Sequence, residues 1–166
     1  MINLIVAYDD QFGIGKDGTI PWKCKEDMEF FKKTTDGCTV IFGRKTWTSL
    51  KKPLSNRLSI VISKTLEEQK NGPSIYSSLV TAIHDTEKDL SGVFICGGAQ
   101  IYREALQLGL PTTLYMTHIK GNYNCDTFFP SQELGDFLKK QNPTIDFLVS
   151  SAKMTITRVR IIPGLN

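Results

Sequence analysis

Several short runs along the chain are almost wholly apolar, and each predicts a strand buried on both faces. They cover residues 2–8, 38–42, 58–62, 93–96 and 114–119. Between them, apolar positions recur every three or four residues, which predicts helices over 26–35, 45–50, 79–87 and 100–108. Strands alternating with helices imply an α/β fold: a central, mostly parallel, twisted sheet with right-handed crossovers and helices on both faces.

The end of the chain departs from that alternation. Residues 147–152 and 154–162 are both strand-like with no helix between them, so a C-terminal antiparallel hairpin is expected at one edge of the sheet. In the second run the apolar positions switch parity, from Met154 and Ile156 to Val159 and Ile161, which predicts a β-bulge near Thr157 and Arg158. Residues 64–73 are polar and predict a loop, and the tail 162–166 yields no reading. No repeat, low-complexity tract or linker interrupts the 166 residues, so a single domain over 1–166 is expected.

One stretch organises the rest. Gly13-Ile14-Gly15-Lys16-Asp17-Gly18-Thr19-Ile20-Pro21-Trp22 is a glycine-punctuated loop that runs into the 26–35 helix. There Asp27, Phe30 and Phe31 stand at i, i+3 and i+4, so a carboxylate shares the apolar face with two rings. Acids in a first helical turn also meet free N–H groups and the positive end of the dipole, which is the plainer reading of Glu26 and Asp27. The company of Trp22, Pro21 and the two phenylalanines supports a pocket with a single ionisable group and a lid. Residues 13–18 match the dinucleotide fingerprint G-x-G-x-x-G, but residues 9–12 separate them from the preceding strand and Pro21 opposes a following helix. They are read as a mobile loop instead.

Composition narrows the function classes. The chain is 40% hydrophobic and 22% charged, as in ordinary soluble proteins, with a net charge of +3. Lys23, Lys25, Lys32 and Lys33 come nearest to a basic cluster, yet acids and aromatic residues interrupt them, so nucleic-acid binding is not expected. Cys24, Cys38, Cys96 and Cys125 lie far apart, and only His84 and His118 could join them, so no metal site is predicted. The start lacks the basic and apolar segments of a signal peptide, and no apolar run is long enough to span a bilayer. A cytoplasmic protein with reduced thiols and no membrane partner is expected.

Two strands end in glycine followed by a helix start, where α/β sheets hold ligands. At the first, Gly43 permits close backbone approach, Arg44 and Lys45 bring charge, Thr46 brings a hydroxyl and the helix offers free N–H groups. At the second, Cys96-Gly97-Gly98-Ala99-Gln100 would let a pyrophosphate or a flat ring rest on the main chain. Either alone could be a plain turn. With Ser63 and Lys64 ending a third strand, they outline a groove for a phosphorylated dinucleotide.

Together these residues resemble a known family. Ile20-Pro21-Trp22, Asp27 with Phe30-Phe31, Gly43-Arg44-Lys45-Thr46-Trp47-Thr48-Ser49, Asn56-Arg57, Gly97-Gly98-Ala99-Gln100-Ile101-Tyr102 and Asp126-Thr127-Phe128-Phe129-Pro130 resemble dihydrofolate reductase, in the family's order. The likeness runs from residue 2 to about residue 130 and continues more weakly into the final strands. An Asp five residues after Trp22 is similar to the bacterial type, whereas the vertebrate type carries Glu.

The resemblance implies hydride transfer from NADPH to C6 of dihydrofolate with protonation of N5, in support of one-carbon metabolism. It implies that Asp27, with its pKa pushed up by burial beside Phe31, holds the 2-amino and N3 edge of the pterin. Asp27 would also favour N5 protonation through water near Trp22, and Thr117 would hydrogen-bond the acid. Ile5, Met28, Phe31, Leu50 and Leu54 would wall the folate, Val6 would belong to the substrate-binding residues, Cys96 would sit beside the pterin, and Arg57 would grip the glutamyl α-carboxylate. On the cofactor side, Ala7, Ile14, Gly15, Lys16, Gly18, Thr19 and Ile20 would close over the nicotinamide. Arg44, Ser63 and Lys64 would lie near the 2′-phosphate, with Gly43 and Lys45 beside them. Thr46, Cys96, Gly97, Gly98, Ala99, Gln100, Ile101 and Tyr102 would hold the pyrophosphate and the remainder. A cis Gly97–Gly98 bond, which costs about 3 kcal/mol, would mark function. Asp126 would hydrogen-bond the lid and help set its closed form. Dihydrofolate and antifolate inhibitors are the implied partners, and a monomer is expected.

Departures from the family pattern are few. Cys24 stands where an aliphatic residue is commoner, Cys96 replaces a common Ile or Val, and Cys125 precedes Asp126 where glycine is usual. With no residue after Asn166, a fused thymidylate synthase is not expected. Two rival readings are a riboflavin-pathway reductase, which shares the architecture and NADPH but usually lacks the Trp22–Asp27–Phe31 spacing, and a non-catalytic dinucleotide- or RNA-binding module.

Overall fold

A computed structural model describes residues 1–50, 54–86, 88 and 91–162. Strands β1 (Ile2–Tyr8) and β2 (Gly13–Gly15) precede helix α1 (Lys25–Thr35). Then come β3 (Thr39–Gly43), α2 (Arg44–Ser49), β4 (Leu58–Ile62), β5 (Ser74–Tyr76), α3 (Leu79–Thr86), β6 (Val93–Ile95), α4 (Ala99–Gln107) and β7 (Thr113–Ile119). The order closes with β8 (Thr127–Phe128), α5 (Ser131–Lys139), β9 (Asn142–Ser150) and β10 (Met154–Ile162). Eight of the described strands form one sheet, ordered β5-β4-β3-β6-β1-β7-β10-β9, and β2 pairs with β8 in a separate ribbon. Neighbours from β5 to β7 are parallel, while β10 runs antiparallel to both β7 and β9.

Both faces of the sheet are covered, which is why its inner strands read as unbroken apolar runs. On one side α3, α4 and α5 bury Leu79, Ile83, Ile101, Leu106 and Phe137 against Leu4, Val6, Ile95 and Leu114. On the other, Phe30, Phe31 and Trp47 cover Ile5, Val40, Phe42 and Phe94, and Trp22 and Cys24 cover Ile119, Met154 and Ile156.

The parity switch in β10 follows from the same two-sided burial. Met154 and Ile156 belong to the Trp22 cluster, Val159 packs with the α4 and α5 side chains, and pairing to β7 runs unbroken from Met154↔Ile119 to Arg160↔Thr113. A register shift does fall between Ile156 and Thr157, but it is against β9. There the pairing passes from Val149 to Phe147 and leaves Leu148 as the extra residue. The bulge thus sits in the partner strand.

The hairpin also begins earlier than expected. β9 starts at Asn142 and includes Pro143, which an edge strand accepts because its missing N–H serves no second neighbour. β2, β5 and β8 are two or three residues long and α5 carries Gly135 at its middle, so their periodic signal is weak. Residue 87 of the third expected helix and residues 163–166 of the tail lie outside the described residues.

Residues 13–19, expected as a loop, pair as a ribbon and a tight hairpin. Gly13 and Gly15 pair with Phe128 and Thr127, and Lys16 and Thr19 exchange main-chain hydrogen bonds of 2.8 and 2.9 Å. Asp17 and Gly18 turn with φ of 50° and 75°, the Asp-Gly geometry that suits the twist of paired strands. No helix follows directly, in keeping with rejection of the dinucleotide fingerprint.

Candidate active site

The carboxyl ends of the parallel strands collect the candidate residues. Ala7 of β1 pairs with Thr117 of β7, and Ile95 of β6 pairs with Ile41 of β3, which delivers Cys96 and the following glycines beside the end of β3. α1 lies across this end of the sheet. Its Phe30 and Phe31, one turn after Asp27, pack with Ile5, Leu50, Leu54 and Cys96 in one apolar cluster. Phe30 also belongs to the adjoining cluster of Trp22 and Ala7.

Asp27 is half-buried, and burial pushes its pKa above the ordinary carboxylate range. The hydroxyl of Thr117, itself 1% exposed, acts on that carboxylate as a hydrogen-bond donor and pulls the other way. Burial also pushes the Cys96 thiol well up, so it stays protonated at neutral pH. The Tyr102 hydroxyl donates to the Ile5 carbonyl at 2.7 Å and is likewise raised, by burial first and then by Cys96 and Asp27. Cys96 and Tyr102 therefore both stay neutral at neutral pH.

At the other end of α1, Arg57 is held in a fixed pose. Its Nε donates to Thr35 Oγ1 at 2.7 Å, and its terminal nitrogens donate to the carbonyls of Ser55 and Lys32. The fully buried Thr35 hydroxyl in turn donates to the Phe31 carbonyl at 2.8 Å. Sequence reasoning misses Thr35. A lone Thr in a last helical turn carries no signal that an arginine 22 residues away will seek it.

The ends of β3, β4 and β6 fit a phosphorylated dinucleotide. The Gly97–Gly98 peptide is cis, as the resemblance implies, and the Gly97 carbonyl accepts the Gly43 N–H at 2.7 Å. A Cβ on Gly98 would stand 2.9 Å from Thr46 Oγ1, and one on Gly43 would stand 3.1 Å from the Ile101 side chain. Bare main chain thus forms a cradle that a side chain would fill, at the start of α4, whose first N–H groups have no side-chain cap. Ala99 and Gln100 open that helix. Arg44 and Ser63 follow directly on the paired residues Gly43 and Ile62, with Lys45 and Lys64 exposed beside them.

Other expected residues are spread more loosely. Met28 and Ile20 are exposed, Lys16, Gly18 and Thr19 form the exposed tip of the lid hairpin, and Ile14 packs on the core beside it. Val6, expected among the substrate-binding residues, turns its side chain away from Ile5. It is buried with Leu4, Ile101 and Met116 on the opposite face from Ile5, as strand alternation demands of adjacent residues.

A dihydrofolate reductase family model matches residues 1–156. The chain belongs to the dihydrofolate reductase family. It is 38% identical over 159 residues to a dihydrofolate reductase of Schistosoma mansoni, a match that covers 87% of this chain and 86% of the relative. To the dihydrofolate reductase of Bacillus subtilis (strain 168) it is 37% identical over 130 residues, covering 78% and 76%. A solved Enterococcus faecalis dihydrofolate reductase, complexed with NADP(H) and RAB-propyl, superposes with a TM-score of 0.82 at 27% identity, covering 97% of this chain and 96% of that chain. Membership makes the protein an oxidoreductase and sets the riboflavin-pathway reading aside.

In this dihydrofolate reductase family member the lid is clasped from the side. Asp126 Oδ2 accepts the Asp17 N–H at 2.9 Å, and the Asp126 N–H donates to the Gly15 carbonyl at 3.0 Å. Among the described residues no cluster of His, Cys, Asp and Glu forms a metal site, and no helix is long and apolar enough to cross a membrane.

Proposed function

We propose that the protein reduces 7,8-dihydrofolate to 5,6,7,8-tetrahydrofolate with NADPH, adding hydride at C6 and a proton at N5, and so supplies one-carbon metabolism in the cytoplasm. The observation that carries this reading is the placing of one raised-pKa acid, Asp27, and a side-chain-free cradle at Gly43, Gly97 and Gly98 on the same end of the sheet. NADPH, when bound, supplies the hydride.

The chain's own residues bind, orient and exclude water. An ionised Asp27 can accept two parallel N–H bonds from the 2-amino and N3 edge of the pterin. Because burial disfavours its charge, that partner relieves a cost already present in the fold. Thr117 keeps the carboxylate aimed. Ile5, Phe31, Leu50, Leu54 and the neutral thiol of Cys96 supply apolar walls, so Cys96 acts by shape and not as a base. Trp22, buried at the end of the lid, would hold the water that passes a proton toward N5. Arg57, fixed by Thr35, is set in advance for the glutamyl α-carboxylate. Antifolate inhibitors would compete for the same acid.

The test follows the near-ultraviolet absorbance of NADPH in the presence of dihydrofolate, for the wild type and for Asp27→Asn. The wild type should consume NADPH, while the variant binds NADPH and loses most turnover at neutral pH. Near-normal turnover in the variant, or no consumption by the wild type, overturns the reading.

A further inference from the structure

Immediately after β1 the chain folds around a buried acid that the reaction above does not use. Asp9 is 1% exposed. Its Oδ1 accepts the N–H groups of Gln11 and Gly13 at 2.9 and 2.8 Å, and its Oδ2 accepts the N–H of Tyr123 at 3.0 Å and faces the Cys125 thiol at 3.6 Å. One oxygen therefore serves the turn that begins the lid, and the other serves a loop 114 residues away in sequence. Space around this knot is tight, since a Cβ on Gly13 would fall 2.4 Å from the Cys125 Cβ and 2.9 Å from Asp9 Oδ1.

The far end of the lid is tied to the same carboxylate. The Tyr123 ring meets Trp22 edge-on, with centroids 5.4 Å apart. Trp22 is 7% exposed and closes the segment that Gly13 opens. The neighbouring main chain adds a further link, from the Asp10 N–H to the Gly121 carbonyl at 2.9 Å. Burial pushes the Asp9 pKa up, but the main-chain donors of Tyr123, Gly13 and Gln11 outweigh it and hold the carboxyl below its usual range. It is an anion matched to fixed donors.

We propose that Asp9 is a positioning residue for the lid, setting through Oδ1 where the hairpin begins at Gly13 and through Oδ2 and Tyr123 where it ends at Trp22. The inference rests on the reading above, in which residues 13–22 close over the cofactor. Donors converge on both oxygens, so an amide in place of the acid must turn its NH₂ toward one of the N–H groups it should accept. The hairpin then loses one of its two anchors. Asp9 touches none of the reacting groups, so its effect falls on cofactor retention and not on the pterin acid.

The experiment compares the full-length wild type with Asp9→Asn and Tyr123→Ala. The second variant keeps the carboxylate and every main-chain donor and removes only the ring against Trp22, so it decides the matter even where Asp9→Asn fails to fold. In the cofactor-free protein, amide hydrogen exchange at residues 13–20 should quicken by about tenfold in each variant. NADPH binding should weaken by about tenfold while dihydrofolate binding without cofactor stays within about twofold. Unchanged exchange at residues 13–20, or equal losses of NADPH and dihydrofolate affinity, overturns the proposal. A wild type that binds neither ligand would sink the functional reading alone, because the exchange measurement needs no ligand.

Discussion

The main-chain N–H of Asp17 donates to Oδ2 of Asp126 at 2.9 Å, across 109 positions of sequence. Asp17 lies at the tip of the lid hairpin and Asp126 lies just before β8, so the bond ties the free end of the hairpin to its neighbouring strand. Asp126→Ala removes this acceptor and leaves the main-chain bond to Gly15. Faster NADPH release and a several-fold loss of turnover are expected, with dihydrofolate affinity little changed. Stopped-flow measurement of NADPH release provides the check, and an unaltered release rate would show that the clasp does not hold the lid. The Asp126 carboxyl is held below its ordinary value of 3.8 by the Asp17 N–H first and the Thr127 hydroxyl second, so the clasp should persist into mild acid.

Asp27 carries the opposite sign. Burial raises its pKa above 3.8, so protonation favours the folded state. That contribution is fully present below pH 3.8 and is lost as pH rises through the raised folded value. Asp27→Asn removes the ionisation at nearly constant shape. It should melt at a higher temperature than the wild type at neutral pH, and the difference should close below pH 3.8. Thermal denaturation across pH tests this, and a variant that melts lower than the wild type at neutral pH would contradict it.

The legibility of these features in the sequence follows the physics of each. β1, β3, β4, β6 and β7 are covered on both faces, so an apolar run marks each of them without knowledge of its neighbours. Asp27 shows itself because a carboxylate at i with rings at i+3 and i+4 breaks the amphipathic pattern of α1. Asp9 and Thr35 stay hidden because their partners are main-chain groups and a distant arginine, which leave no trace in local composition. The bulge at Leu148 and the strand β2 depend on pairing partners, and only the assembled sheet supplies those. Period-two alternation beside Ile5, by contrast, already places the Val6 side chain on the other face.

Thr117→Val keeps the shape of a fully buried β-branched side chain and removes the donor that faces Asp27. The hydroxyl lowers the acid's pKa, so its loss should let burial raise that pKa further. The acid limb of the pH–rate profile should move to higher pH. Dihydrofolate binding at neutral pH should weaken by roughly tenfold, the size of one hydrogen bond to a charged group, about 1.5 kcal/mol. A profile that superposes on the wild type's would remove Thr117 from the site.

Gly98 separates space from backbone strain. Its φ of −87° lies outside the left-handed region, so Gly98→Ala carries no penalty from a left-handed conformation. Its new methyl would instead stand 2.9 Å from Thr46 Oγ1 and occupy the cradle at the start of α4. NADPH affinity should fall by about a hundredfold, as expected where main-chain contact is displaced from an anion site. Dihydrofolate binding should change little, and fluorescence titration distinguishes the two ligands. Thr46→Ala in the same chain removes the atom that the methyl meets, so the double variant should regain thermal stability. Its NADPH affinity should stay low, because the methyl still fills the place where the pyrophosphate rests. Full recovery of NADPH binding in the double variant would mean that Gly98 serves packing against Thr46 and has no part in holding the cofactor.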